Sequence, residues 1–278
     1  MSVRKAATTL SRCCWFVFVA LVLVGVFRDP LLPFGLTFVP AAVAVAITVV
    51  LGRLSSREVA AQARPAVEVG PPVTGRWTAL NSPADRVPSH GIHAYGQTYA
   101  IDVVAEPETE AEGRRPPFRW VWPVARRNED FPAFGAPLLA VAEGTVVHAS
   151  DGQRDHLSRN SGPALAYLML FEGAVRDMAG AHRVVGNHIV LDIGDGTYAM
   201  YAHIRRGSLQ VKAGDTVRTG QRLARCGNSG NSTEPHVHFQ LMDHPDLDLA
   251  RGVPFSWRGV GVPANGESFT AGGAVSTG

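Results

Sequence analysis

Residues 227–242 read GNSGNSTEPHVHFQLM. The second half, HVHFQLM (236–242), is a short apolar run behind a proline, with the composition of a strand. In a strand, positions i and i+2 share a face with Cα atoms about 6.6 Å apart, so His236 and His238 project together. A neutral imidazole is the commonest metal ligand, and two on one face can serve one ion, or one ion and a substrate. The first half, GNSGNSTE (227–234), is made of residues that accept unusual backbone angles or bond their own backbone. Such a loop delivers the strand at a fixed angle.

Outward from this strand the pattern stays short and β-like. Strands are expected in TYAIDVV (98–104), APLLAVAEGTVVHAS (136–150, broken at Glu143-Gly144), HIVLDIGD (188–195) and TYAMYAHI (197–204). Gly194-Asp195-Gly196 reads as a hairpin turn between the last two. VKAGDTVRTGQRLARCG (211–227) reads as short strands joined by tight turns. One segment differs: PALAYLMLFEGAVRDMAG (163–180) has a helical pattern, with Pro163 at its start and Gly180 at its end. The expectation is a mainly β domain over 75–262, an antiparallel β-sandwich with one helical insertion at about 163–180. That insertion either walls a groove or, as the plainer reading, only packs. Residues 53–74 read as a linker, and 263–278, ending in GESFTAGGAVSTG, as a disordered tail.

The N-terminus is of another kind. Residues 13–27 and 31–52 carry no charge, and together they read as a transmembrane helical hairpin within an anchor spanning 1–52. A signal peptide is the rival for the first run, but no small-residue cleavage site follows it. Arg4, Lys5 and Arg12 precede the first run and Arg53, Arg57 and Arg64 follow the second. The positive-inside rule alone would therefore keep both ends, and the domain, cytoplasmic; a single span at 31–52 would put the domain outside. Cys13 and Cys14 read as inert apolar thiols, with acylation as the alternative. Among the 278 residues there are 26 Lys+Arg and 24 Asp+Glu, a net charge of +2, which excludes a strongly basic nucleic-acid-binding tail. Three cysteines exclude a disulfide framework; the lone Cys226 reads as a buried apolar residue.

Two further placements bear on chemistry. His203 closes the strand TYAMYAHI, and alternation puts it on the face of Tyr201. Asp102 interrupts the apolar run Ile101–Val103, where a buried carboxylate needs a cationic partner; His93 and His90 both lie upstream. One aspartate and several histidines without thiolates suit a borderline divalent ion, most often zinc with an open position. No H-E-x-x-H helix is present.

Taken together, GNSGNSTEPHVHFQL (227–241), YAMYAHI (198–204), VKAGDTVRTGQRLARCGNSG (211–230) and APLLAVAEGTVV (136–147) resemble the lysostaphin/LytM-type zinc metallopeptidases, over about residues 90–255. The resemblance implies a compact antiparallel β fold, one catalytic zinc ion and hydrolysis of stem or bridge peptides in peptidoglycan. It implies His238 and Asp102 as zinc ligands and His203 and His236 as catalytic residues. The family's further ligand is a histidine four positions before the aspartate, but Thr98 stands there. His93 is taken in its place, on the expectation that a loop over Tyr95-Gly96-Gln97 returns it to Asp102. Glu234 stands where the family has a small loop residue and is read as solvated; His188 is read as structural. The expected protein is a membrane-anchored peptidase whose catalytic domain lies outside the cytoplasm, with no nucleic-acid partner. A metal-free envelope adaptor and a membrane metallopeptidase acting on a protein substrate are the alternatives.

Overall fold

The computed structural model describes residues 3–28, 30–61, 64–107 and 115–272. The chain divides into a helical unit formed by Met1–Ala63 with Asp177–Gly180, and a larger unit formed by Arg64–Arg176 and Ala181–Gly278.

In the first unit, α1 (Val3–Phe27), the short α2 (Phe34–Thr37) and α3 (Val39–Ala61) form an antiparallel hairpin. Its pairing is legible in three contacts: Arg4 Nη2 donates to Ser55 Oγ at 2.7 Å, Ser11 Oγ donates to the Ala44 carbonyl at 3.3 Å, and the Phe18 and Phe38 rings lie 5.6 Å apart. Two helices, Val3–Phe27 and Phe34–Val59, are long and apolar enough to cross a membrane, a test that a signal sequence near an N-terminus also passes. Both run beyond the expected apolar limits, because the flanking Lys, Arg, Ala and Ser residues are themselves good or neutral helix formers. The segment 53–74 is therefore not simply a linker: α3 continues to Ala61, and Val67–Val69 form a strand. Asp29 and residues 62–63 lie outside the described residues.

The larger unit is built on a nine-stranded sheet. Its strands are β2 (Gly75–Leu80), β3 (Ile101–Ala105), β5 (Gly144–Ser150), β6 (His188–Asp192), β7 (Tyr198–Ala202), β8 (Thr216–Val217), β10 (Val237–Met242), β11 (Gly252–Val253) and β13 (Ser268–Ala271). Their order is β13-β2-β3-β10-β7-β6-β5-β8, with β11 also paired to β10, and every pairing is antiparallel. Two small ladders lie over the sheet: β4 (Pro137–Leu139) with β9 (Arg222–Arg225), and β1 (Val67–Val69) in parallel with β12 (Phe255–Trp257). The mainly β, antiparallel architecture is the expected one.

Alternation sorts the sheet into two faces. Ile101, Val103, Ala199, Tyr201, Val237, Phe239 and Leu241 point into the main core, where Leu138, Leu223, Val69 and Trp257 from the ladders cover them. On the opposite face Met200, Ala202 and Met242 join Ala181 and Val185 in a second apolar cluster. β10 sits between β3 and β7 and is buried along its whole length. Its polar residues His238 and Gln240 are therefore interior groups, and each needs partners.

The helical insertion is present as α4 (Gly162–Tyr167), a π-helical turn (Leu168–Glu172), α5 (Gly173–Ala179) and α6 (Ala181–Val184). Ser161 caps it, its Oγ accepting from Ala164 N at 3.3 Å, and Pro163 stands in the first turn. The expected disordered tail is corrected in part. Ser268–Ala271 pair with β2, because Phe269 and Ala271 alternate inward and supply a buried face in an otherwise polar stretch. Residues 273–278 lie outside the described residues.

Candidate metal centre

The site is set by register. His238 on β10 stands directly opposite Asp102 on β3 and Ala202 on β7. His238 Nδ1 lies 2.9 Å from Asp102 Oδ1, and His90 Nε2 lies 3.0 Å from Asp102 Oδ2. His90, Asp102 and His238 each offer one ligand atom, all within 4.8 Å of one another.

His93, expected in this cluster, is not part of it. The loop over Tyr95-Gly96-Gln97 exists, but it curls through left-handed angles at Tyr95 (φ 59°) and Gly96 (φ 75°). That curl leaves His93 Nδ1 3.0 Å from Thr98 Oγ1. It folds the preceding residues back instead: Ser89 N donates to the Thr98 carbonyl at 3.1 Å, which brings His90 against Asp102. The correction is one of reach, since the residue facing β3 is decided by the curl and not by nearness in sequence.

The surrounding hydrogen bonds test whether these side chains fit a cation. Gln240 Nε2 donates to the Tyr95 carbonyl at 2.7 Å, so its Oε1, 3.1 Å from His238 Nε2, is an acceptor. His238 therefore donates through Nε2 and turns the lone pair of Nδ1 toward the Asp102 carboxylate. Ser89 Oγ donates to the Gln97 carbonyl at 3.3 Å and can accept from His90 Nδ1 at 3.0 Å, which turns the His90 Nε2 lone pair toward Asp102 as well. Two imidazole lone pairs and a carboxylate thus converge, an arrangement that repels itself unless a proton or a cation lies between. Burial favours the neutral imidazole: it pushes the pKa of His238 down against the opposing pull of Asp102. The donor set fits a borderline divalent cation with an open position. For Asp102, burial pushes the pKa up, but the neighbouring His90, His236 and His238 outweigh it and hold the carboxyl well below its usual range. Asn81 Nδ2 also donates to Asp102 Oδ2 at 2.8 Å.

His203 and His236 lie beside this group, their rings 4.7 Å apart, with His203 5.8 Å from His238. His203 is not on the face of Tyr201, as simple alternation implies. β7 ends at Ala202 and His203 takes φ 58°, so Tyr201 packs against Phe239 in the core while His203 turns to the other histidines. This left-handed conformation is costly for a side chain with a Cβ, and it is held by three bonds. His203 N donates to the Val185 carbonyl at 3.1 Å, its carbonyl accepts from Gly227 N at 3.0 Å, and Nδ1 lies 2.7 Å from the Ser229 carbonyl. His236 Nδ1 lies 2.8 Å from the Glu234 carbonyl, and its Nε2 is 3.5 Å from Asp102 Oδ1. In both rings Nδ1–H is committed to a carbonyl, which leaves Nε2 for chemistry. Burial and the neighbouring His236 and His238 push the pKa of His203 well down; for His236 burial acts downward, but the Asp102 charge overrides it and raises the pKa.

Glu234 is corrected: it is buried, in a salt bridge with Arg115 and 3.3 Å from Asn160 Nδ2. The local sequence carried no sign of this, because both partners come from distant segments. Asn81, Ser89 and Gln240 were likewise missed; only Gln240, in register with His238 on one strand face, had a signal that could have found it. Cys226 is buried as expected, and burial pushes its thiol pKa up.

Residues 168–248 match the profile described as Peptidase family M23. The peptidoglycan DD-endopeptidase ShyA of Vibrio cholerae is 32% identical over 82 residues, covering 30% of this chain and 17% of that protein. The glycyl-glycine endopeptidase ALE-1 of Staphylococcus capitis is 43% identical over 58 residues, 20% of this chain and 16% of that protein. The chain thus spans under a fifth of the length of either relative. Among solved structures, the catalytic domain of lysostaphin from Staphylococcus simulans aligns at 22% identity over 58% of this chain and 76% of that one, with a TM-score of 0.32. The family match and the two relatives meet the resemblance to lysostaphin/LytM-type peptidases. His203, His236 and His238 fall inside the family match; His90 and Asp102 fall outside it.

Proposed function

We propose that this chain, which carries a Peptidase family M23 segment over residues 168–248, is a membrane-anchored zinc endopeptidase that hydrolyses peptide crosslinks of peptidoglycan. The observation that carries the proposal is the convergence of His90, Asp102 and His238, with His203 and His236 beside them. These three would hold the ion. When bound, zinc supplies Lewis-acid polarisation of a carbonyl and a lowered pKa for water. His203, buried and held neutral, offers Nε2 as a proton acceptor or as a donor once charged. His236, whose pKa is raised, offers an N–H toward negative charge developing on the scissile carbonyl oxygen and a proton for the departing amine. The Ser229 and Glu234 carbonyls fix both rings, so neither has to reorient during the reaction.

Metal analysis of the full chain tests the centre. Wild type and His93→Ala are expected to hold one zinc ion, and His90→Ala and His238→Ala none; zinc retained in His238→Ala removes the site as drawn. His203→Ala and His236→Ala are expected to keep the metal and lose on the order of 10²–10⁴-fold in peptidoglycan hydrolysis. A metal-loaded wild type without hydrolysis points to the adaptor reading.

One observation favours a second reading of the substrate. The basic residues flanking the hairpin, Arg4, Lys5 and Arg12 at one end and Arg53 and Arg57 at the other, place both ends in the cytoplasm by the positive-inside rule. A reporter fused after Gly278 decides: an extracytoplasmic signal is expected, and a cytoplasmic one exchanges the cell-wall substrate for a protein substrate.

A further inference from the structure

The outward face of the helical insertion does not have the composition of a face kept in water. Leu168 and Ala164 turn inward, but Met169, Leu170, Phe171 and Val175 are each between 58% and 69% exposed. The loop Arg119–Val124 is fastened to the first turn of the same helix. Gly162 N donates to the Arg119 carbonyl at 2.9 Å, and Ser161 Oγ donates to the Val124 carbonyl at 2.6 Å. That loop carries Trp120 and Trp122, 82% and 77% exposed, with Arg119 exposed beside them. Apolar side chains of this size gain free energy when they leave water, so this face is a candidate interaction surface.

Two features identify what covers it. The first is chemical. Paired tryptophans beside an exposed arginine, next to an aliphatic helix face, match the boundary between headgroups and acyl chains. Met169, Leu170 and Val175 offer a sugar or a polar peptide no hydrogen bonds. The second is the tether. α3 ends at Ala61 and β1 begins at Val67, and the intervening chain reaches at most about 20 Å. If α3 crosses a bilayer, a reading on which this inference rests, the larger unit is held within that distance of a lipid surface. So short a tether makes even a weak contact effectively intramolecular.

We propose that Trp120, Trp122 and the face bearing Met169, Leu170, Phe171 and Val175 rest in the interfacial layer of the membrane. The larger unit then makes a second, monotopic contact in addition to the hairpin anchor. The contact fixes its orientation toward the bilayer.

The test uses the full chain with Cys13→Ala and Cys14→Ala, reconstituted in vesicles of phosphatidylcholine and phosphatidylglycerol. Nitroxides are placed singly at Trp122→Cys, Leu170→Cys, Val19→Cys in α1, and Arg222→Cys on β9 as an exposed reference. Accessibility to oxygen is then compared with accessibility to a water-soluble nickel chelate. Positions 122 and 170 are expected to side with position 19, with an oxygen-to-nickel ratio severalfold above that of position 222. Adding Leu170→Glu to the position-122 label is expected to return it to the value at 222. If position 19 is lipid-exposed while 122 and 170 match 222, the inference fails and the anchor stands. If position 19 itself reads as aqueous, the anchor reading fails and takes the inference with it. Spin–spin broadening at 170 that disappears on dilution with unlabelled chain would mean a second copy covers the face, which also overturns the inference.

Discussion

At the scale of single residues, the site depends on side chains that touch the proposed ligands without being ligands. Gln240 is the clearest: it accepts from His238 Nε2 and donates to the Tyr95 carbonyl, so one amide orients His238 and fastens the loop that presents His90. Gly96 belongs to the same contact, because a Cβ there would stand 2.7 Å from Gln240 Nε2. Partners of this kind carry about 10–100-fold in metal affinity. Gln240→Leu is therefore expected to weaken zinc binding by that factor, read by chelator competition. Gln240→Glu, which keeps an acceptor for Nε2–H, is expected to lose less. Equal loss in both, or in neither, shows that the amide does not orient the imidazole. His90 and His93 give the lesson in legibility. Both were candidates on sequence, and nothing local ranks them correctly, because the choice turns on two left-handed residues whose carbonyl and backbone are captured by Gln240, far along the chain.

At the scale of elements, β6 carries a titration the site does not use. His188, at its first position, is buried and stacks on His148 with ring centroids 4.3 Å apart. Burial and the neighbouring His148 push its pKa from 6.5 down to about 4. The sign follows from linkage: between those values the unfolded chain binds a proton that the folded chain refuses, so stability is full above pH 6.5 and falls as pH drops toward 4. The loss approaches about 3 kcal/mol at the low end. Urea unfolding of the unit from Arg64 onward, which has its own core, is expected to show this decline, and His188→Asn to flatten it. An unchanged slope in the variant assigns the decline to other groups. The strands themselves were readable, since β5, β6, β7 and β10 each lie within an expected run and the hairpin turn falls at Gly194-Asp195-Gly196. The end of β7 was not readable: period-two alternation stops where His203 turns left-handed, and only the bonds from Val185, Gly227 and Ser229 make that turn tolerable.

At the scale of the molecule, two units of different composition share one chain. The hairpin of α1 and α3 exposes apolar side chains along most of its length, as a helix pair surrounded by lipid does. The full chain is expected in the membrane fraction after alkaline carbonate, and a chain beginning at Arg64 is expected to be released; carbonate extraction of the full chain removes the anchor. The sequence by itself determined whatever periodicity and composition encode locally: the apolar runs, the mainly β class, the helical insertion, and the pairing of His236 with His238 on one strand face. It also carried the resemblance that pointed to zinc and peptidoglycan. Tertiary structure alone decided the placing of His90 against Asp102, the pairing of buried Glu234 with Arg115, the turn of His203 away from Tyr201, and the anchoring of Gln240 to Tyr95. Each of these depends on residues brought together from separate segments, and no local pattern reports a contact whose two halves are fixed by the closure of the whole sheet.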